Sequence, residues 1–388
     1  MQALDRLAVS DRDNELVKRL STLPGGAILN ALNLISPEEL STIFVMGLSN
    51  SDIQFDNIQQ RLWGVRQGKT GFDDTGLAVN DTQSDRSDDG KQLRTFDDKN
   101  IISFEGKNEV TQHNSVPDKR WGFFISGTGE VVDVDSTSLA RGSSFDTGGV
   151  TVGADFRVTE HFVLGAAIGY ANTSADLSLE GSLESNAAKV SVYSTYYNRG
   201  FYVEGILSAG YGSIETRRLT AGGFAHGDTS ATNYGALLGI GYDVSIGRWS
   251  FGPLASLSYS RVGIDDFAEE GAIGALYINS QSQDSLKSAL GVQTSYTAQI
   301  GSVTVTPFAR AKWEHELLDE TSSIEAGFTA DDYFTVDGPE VGADSAVVDL
   351  GISVQLTPRV GIFTFYTGAF GRENYTVHST TIGMGVKF

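Results

Sequence analysis

Residues 380–388 read TTIGMGVKF. In steps of two, Ile382, Met384, Val386 and Phe388 share one side, while Ser379, Thr381, Gly383, Gly385 and Lys387 share the other. A period of two means a strand with one apolar face. Chain termini are ordinarily polar and poorly tied down. An apolar alternation that continues to the last side chain therefore needs something apolar to lie against.

The rest of the chain repeats this pattern. From Trp121 onward, period-two segments occupy 120–131, 147–158, 162–175, 186–198, 201–213, 231–246, 249–262, 287–300, 303–317, 345–357, 360–371 and 375–388, twelve in all. In 234–246, Tyr234, Ala236, Leu238, Ile240, Tyr242, Val244 and Ile246 oppose Gly235, Gly239, Gly241 and Asp243. In 249–260, Trp249, Phe251, Pro253, Ala255, Leu257 and Tyr259 oppose a face of serines and Gly252. The connections TEH, NRG, GR, GS and PR are tight turns. They alternate with stretches of about 15 residues around Asp135, 17 around Gly222, 24 around Gly271 and 27 around Asp331, with REN the one short exception.

Length decides between two all-β architectures. Strands of soluble sandwiches average about 5–6 residues and need protected edges. These run to 12–16 residues. At about 3.3 Å per residue and ~45° tilt, twelve residues rise about 28 Å, close to a membrane's hydrocarbon core. An even strand number, short turns at one end, long loops at the other and a small or polar inner face describe a transmembrane barrel. The expected fold is an all-β, 12-stranded antiparallel up-and-down β-barrel with an N-terminal helical and linker segment. The apolar face of the last strand then meets lipid, and pairing of the first and last strands leaves no edge.

Composition agrees. Among 388 residues there are 45 Gly, 21 Phe and 14 Tyr, no Cys, and a formal net charge of −21. That charge argues against a nucleic-acid partner, which requires a basic face. The missing thiols suit an exported chain. No stretch approaches 18 consecutive apolar residues, so no membrane-spanning helix is expected. The opening MQALDRLAVSDRDNELVKRL has neither the basic nor the apolar region of a signal peptide, so an exported chain would be a mature fragment or part of a longer precursor.

The first third reads as helical. Ser36, Pro37 and Glu39 form a capping-box pattern, followed by Ile43, Phe44, Met46, Ile53, Ile58, Leu62 and Val65 at helical spacing, with Gly68 as the stop. A shorter helix is expected over Asn14–Leu20. Between Phe72 and Gly90 there are six Asp against Arg86 alone, a composition that cannot bury enough apolar surface to order itself. The expected organisation is 1–35 as the end of a passenger or a helical extension and 36–68 as a linker helix and possible pore plug. Residues 69–118 follow as an acidic flexible linker, then 119–388 as the barrel.

Candidate sites are few. The inner face carries Asp155, Arg157, Lys189, Glu204, Asp243, Arg310, Lys312, Glu314, Glu316 and Asp349, and the helix offers Arg61 and Arg66 as counter-charges for a plug. As a bland alternative, these charges line a solvated lumen. His113, His161, His226, His315 and His378 show no metal-ligand spacing, and GGVTVG precedes no helix, so neither metal nor cofactor is expected. His226 with Asp228 is the one thin candidate for loop-borne catalysis.

Several stretches resemble autotransporter β-domains: residues 144–177 (SFDTGGVTVGADFRVTEHFVLGAAIGYANTSADL), 306–319 (TPFARAKWEHELLD, with Trp313, His315 and Glu316) and the terminal GMGVKF. ISPEELSTIF and NIQQRLWGVRQG resemble the segment that precedes the barrel in many members. The resemblance implies a non-enzymatic type V secretion translocator in the bacterial outer membrane. It implies a monomer whose partners are outer-membrane lipid and lipopolysaccharide, the barrel assembly machinery and its own passenger. It marks Ile382, Met384, Val386 and Phe388 as an outer-membrane sorting signal. With twelve strands, both barrel ends lie at the short-turn side, so a preceding passenger reaches the outside only by threading the lumen. Some members cleave between paired Asn residues in the lumenal helix; the comparable position here is Asp56-Asn57. The alternatives are a stand-alone outer-membrane adhesin or a barrel enzyme acting through its outer loops.

Overall fold

The computed structural model describes residues 2–10, 14–68, 120–137, 140–177, 179–318 and 321–388. The expected linker at 69–118 lies outside the described residues. From Trp121 the chain is almost wholly strand: β1 Trp121–Val134, β2 Ser143–Thr159, β3 Phe162–Leu177, β4 Ser182–Asn198, β5 Phe201–Thr220 and β6 Gly223–Tyr242. Then follow β7 Trp249–Ile264, β8 Gln281–Tyr296, β9 Val303–Glu316, β10 Asp344–Thr357, β11 Val360–Arg372 and β12 Tyr375–Lys387. Short segments Val244–Ile246 and Ala298–Ile300 prolong β6 and β8 past single-residue breaks, so the fourteen segments of the sheet make twelve staves.

Every neighbour pairing is antiparallel, and β1 pairs with β12 from Gly122–Lys387 to Val134–Tyr375 in unbroken register. The sheet is closed. Phe388 is tied to the seam through its backbone N–H, which donates to the Trp121 carbonyl (3.1 Å), and its ring meets Phe123 edge-on at 5.6 Å. Ile382, Met384 and Phe388 all point outward and are exposed, the last at 67%.

The outer surface supplies the lipid dimension. On β5 the outward residues are Phe201, Val203, Gly205, Leu207, Ala209 and Tyr211, then Ser213, Glu215 and Arg217. Phe201 to Tyr211 covers about 33 Å of strand, or about 23 Å of height at a tilt near 45°, the band expected between two aromatic girdles. β6 repeats it between Tyr234 and Tyr242. Beyond these girdles β5 and β6 keep pairing up to Thr220–Gly223, so the region around Gly222 is a strand extension with a tight turn and not a 17-residue loop. The connection around Asp135 is likewise shorter than expected, because β1 and β2 run on to Val134 and Ser143. Past the girdle the outward residues turn polar, so the hydropathy contrast vanishes while the hydrogen bonding continues.

The connections around Gly271 and Asp331 contain structure. Phe267–Ala268, Tyr277–Ile278, Thr321–Thr329 and Asp332–Glu340 form a separate four-stranded sheet over the long-loop end. Its Ile278, Ile324 and Ala326, with Leu276 just before the second strand, join Leu40, Ile43, Phe44 and Met46 in one buried cluster.

Before the barrel lie helices α1 Gln2–Ser10, α2 Glu15–Thr22, α3 Gly25–Ile35 and α4 Thr42–Arg66. α2 is capped at Asn14, whose side-chain oxygen accepts from Leu16 N–H (3.0 Å). The capping box anticipated at Ser36 does not form. Ser36 ends α3, Glu38–Ser41 is a 3-10 turn, and α4 begins at Thr42. Glu38, the residue before the expected capping glutamate Glu39, pairs with Arg141 (2.8 Å), and Ser41 Oγ donates back to the Glu38 carbonyl (2.6 Å). α4 stops at Gly68, whose φ of 66° suits glycine after a helix end.

Candidate functional site

α4 has 25 residues and is about 37 Å long at 1.5 Å per residue, enough to run the height of the barrel. It lies inside. Its upper turns pack against Val132, Val134, Phe145 and Val262 near the long-loop end, and its last turn meets Glu204 and Tyr202 near the short-turn end. A helix in this setting has no lipid face, and the side that carries Asp52, Asp56 and Gln59 is less than fully buried. Apolar and polar residues are buried alike, because each direction meets a different stave.

The fit is close on the β1–β6 side. Phe55, Ile58 and Leu62 pack on Phe124, Ala167, Tyr193, Ile206 and Leu237. Wall glycines make room: a Cβ at Gly235 would stand 2.7 Å from the Phe55 ring, and one at Gly169 would overlap the Gln54 amide. On the other side, Trp63 meets Phe308 at 4.6 Å between ring centroids.

Polar contacts fix the helix in height and rotation. Asn50 donates to Thr173 (3.4 Å), Gln54 to Ser191 (3.1 Å) and Asn57 to Thr151 (3.2 Å), while Thr128 donates to Asn57 (3.2 Å). Ser49 donates to Glu130, and Lys189 donates to Ser51 (2.9 Å). Asp52 pairs with Lys287 at 2.5 Å. None of Ser49, Asn50, Ser51 or Asp52 stood out in the sequence, where a polar run inside a helix gives no sign of the wall it meets.

The two helix arginines are the strongest anchors. Arg61 donates to both carboxylate oxygens of Asp155 (2.6 and 3.0 Å), and Tyr193 Oη donates to the same carboxylate (3.2 Å). Both ion-pair side chains are essentially shut from solvent. Arg66 pairs with Glu204, which also accepts from Gln59 (2.8 Å), and its guanidinium lies 3.8 Å from the Tyr202 ring centroid. Desolvated pairs of this kind add modest net stability, but removing one partner strands a buried charge at about 3–5 kcal/mol.

The remaining inner charges mostly contact one another. Arg310 bridges Asp349 (3.2 Å) and Gln60 (2.7 Å), Lys312 lies 3.4 Å from Glu314, and Asp243 accepts from Gln293 (2.7 Å). Arg157 is buried in the wall. Glu316 accepts from Ser285 (2.6 Å) and from the Leu286 N–H (2.8 Å) at the top of β9. Its neighbours Trp313 and His315 point outward and both reach Asp344 at 2.9 Å.

α4 lies off-centre. Between it and the β7–β12 wall is a polar cavity of about 80 Å³, lined by Asp52, Asp56, Glu130, Lys287, Lys312 and Arg372 among others. The charges of both signs and the volume suit a few waters. His226 and Asp228 face away from it, outward on β6, and His226 is held through its main chain to Glu270.

The autotransporter β-domain family model matches residues 123–367. Esterase EstA of Pseudomonas aeruginosa is 25% identical over 281 residues, covering 69% of this chain and 43% of the esterase. An extracellular serine protease of Serratia marcescens is 24% identical over 408 residues, covering all of this chain and 37% of the protease. The chain thus spans less than half the length of these curated relatives. Among solved structures, the translocator domain of the autotransporter NalP from Neisseria meningitidis superposes with a TM-score of 0.58 at 18% identity, over 71% of this chain and 90% of that one. The β-domain of the Bordetella autotransporter BrkA gives 0.54 at 15%, over 69% and 100%. At these identities the structural likeness concerns the fold.

Proposed function

The chain belongs to the autotransporter β-domain family, outer-membrane translocators that export a passenger, and on that premise we propose that α4 is the tail of an exported segment, held in the pore through which it passed. One observation carries this reading. α4 enters the lumen at the long-loop end and leaves it at the short-turn end, where β1 begins. Short turns face the periplasm in outer-membrane barrels and long loops face outward. A chain that starts outside and returns to a periplasmic barrel end must have crossed through the lumen.

On this reading residues 1–35 are the surface-exposed end of a passenger, 36–68 the lumenal plug, 69–118 the return linker and 119–388 the anchor. The lipid-facing band contacts outer-membrane lipid and lipopolysaccharide, and the barrel acts as a monomer without catalysis of its own. The Ile382, Met384, Val386 and Phe388 alternation serves as the sorting signal read by the barrel assembly machinery. The names of the curated relatives belong to whole proteins of which this chain spans less than half, so any esterase or protease activity would reside in a passenger.

The test is topological. An epitope placed before Gln2 in intact cells should be stripped by added protease, while one placed in the Arg199–Gly200 turn should be protected. An assembled barrel with the N-terminal epitope protected would overturn the reading.

A further inference from the structure

The last turn of α3 stops at the rim of the barrel, where a helix ordinarily leaves its final carbonyls without partners. Here Ser36 N–H donates to the Leu32 carbonyl (3.2 Å), and two arginines take the next three. Arg141, from the β1–β2 connection, donates through Nη1 and Nη2 to the Asn33 carbonyl (3.2 and 3.3 Å). Arg218, on the extension of β5, donates through Nη1 to the carbonyls of Leu34 (3.2 Å) and Ile35 (3.1 Å). Each arginine is backed by a glutamate: Arg141 by Glu38 at 2.8 Å, and Arg218 by Glu269 at 2.5 Å. Arg218 is 1% exposed with α3 seated, and its bonds to Glu269 and to the Gly274 carbonyl (3.2 Å, through Nη2) do not involve α3.

We propose that Arg141 and Arg218 form a receptor for a helix C-terminus at the pore exit. It would seat the emerging segment Gly25–Ile35 and hold it on the barrel surface after export. The proposal rests on the export reading given above. Its chemistry is that of a helix end: two guanidinium groups meet the negative pole of the helix dipole and bond three successive main-chain oxygens. Because the contacts are to main chain, the seat reads helical geometry and not sequence. Only Ala31 and Ile35 of α3 are buried, with Ile35 packed alongside Leu7 and Leu16, so α1 and α2 are gathered onto the same seat. The 265–280 connection thereby acquires a role: Glu269 buttresses Arg218, and Gly274, at a φ of 92°, supplies a carbonyl in place.

Hydrogen exchange of the full chain in lipid vesicles tests this, with heat-modifiable migration as the check that the barrel has assembled. Arg141→Ala with Arg218→Met should lower the protection of α3 amides at least tenfold while α4 amides keep theirs. Arg218→Met with Glu269→Leu removes the stranded carboxylate but restores no donor, so α3 should stay loosened. Substitutions at exposed Leu29 and Asn30 should leave protection unchanged. Unchanged α3 protection in an assembled Arg141→Ala/Arg218→Met chain would overturn the proposal, as would full recovery in the Arg218→Met/Glu269→Leu chain. Loss of α4 protection in the unsubstituted chain would instead count against the plug.

Discussion

Arg61 on the lumenal helix and Asp155 on β2 form a two-bond ion pair, 2.6 and 3.0 Å, sealed from solvent within the barrel. Only the helix partner can leave without unfolding a stave. Asp155→Asn or Arg61→Ala should therefore weaken helix retention by about 3–5 kcal/mol, the cost of a stranded buried charge. The expected readout is more frequent opening in planar bilayers with unchanged barrel migration. Arg61→Met with Asp155→Leu strands no charge and should open less often than either single variant.

The wall's two faces predict opposite tolerance. Leu257 is 45% exposed toward lipid, whereas its neighbour Ser256 lines the lumenal cavity. Leu257→Arg should destabilise by about 2–4 kcal/mol, the range for a cation near the bilayer midplane. Ser256→Arg should cost clearly less. Urea unfolding in lipid vesicles measures both, and equal losses would contradict the face assignment. Leu238 and Gly239 are a poorer pair, because a Cβ at Gly239 would already press on Glu204 at 2.8 Å.

Phe388 closes the seam through its backbone bond to Trp121 and its ring contact with Phe123. Deleting it, or substituting Ser, should leave more chain unassembled in the periplasm. Heat-modifiable migration of an envelope fraction reports this, with Phe388→Trp expected to assemble near the normal level. Normal assembly of the deletion would remove the sorting role.

Outside the membrane, Arg6 of α1 grips Asp332 (2.8–3.0 Å). The hydrogen bond from Arg6 lowers the Asp332 pKa from its usual 3.8. A lowered carboxylate pKa stabilises the folded contact above the unfolded value and loses that contribution as pH falls through the folded one. A spin label at exposed Val9 should therefore grow more mobile as pH falls from 6 to 3, modestly because the pair is in solvent, and Arg6→Gln should flatten the response.

The twelve staves were legible because lipid outside and helix or water inside impose a strict period of two, and because turns such as that at Arg199–Gly200 are tight. Legibility failed where that contrast stops. Beyond Tyr211 the outward residues are Ser213, Glu215 and Arg217, so β5 continues by hydrogen bonding alone and Arg218 went unremarked. α3 was hidden by Gly25 and Gly26 at its start, poor helix formers that its packing on the barrel rim overrides. Asp155 could be read as inward-facing, but its pairing with Arg61 depends on helix height, which no local pattern encodes.

Single-channel conductance tests the central claim that α4 occupies the pore. Twelve staves enclose more space than the side-chain-filled eight-stranded case and less than a porin, room that a helix about 10–12 Å across nearly takes up. Barrels lacking residues 1–118 should open to a larger conductance, and more often, than the full chain in the same bilayer. Restoring 36–68 on a shortened linker should return them to the mostly closed state. Equal conductance and open time for full and truncated barrels would contradict the account.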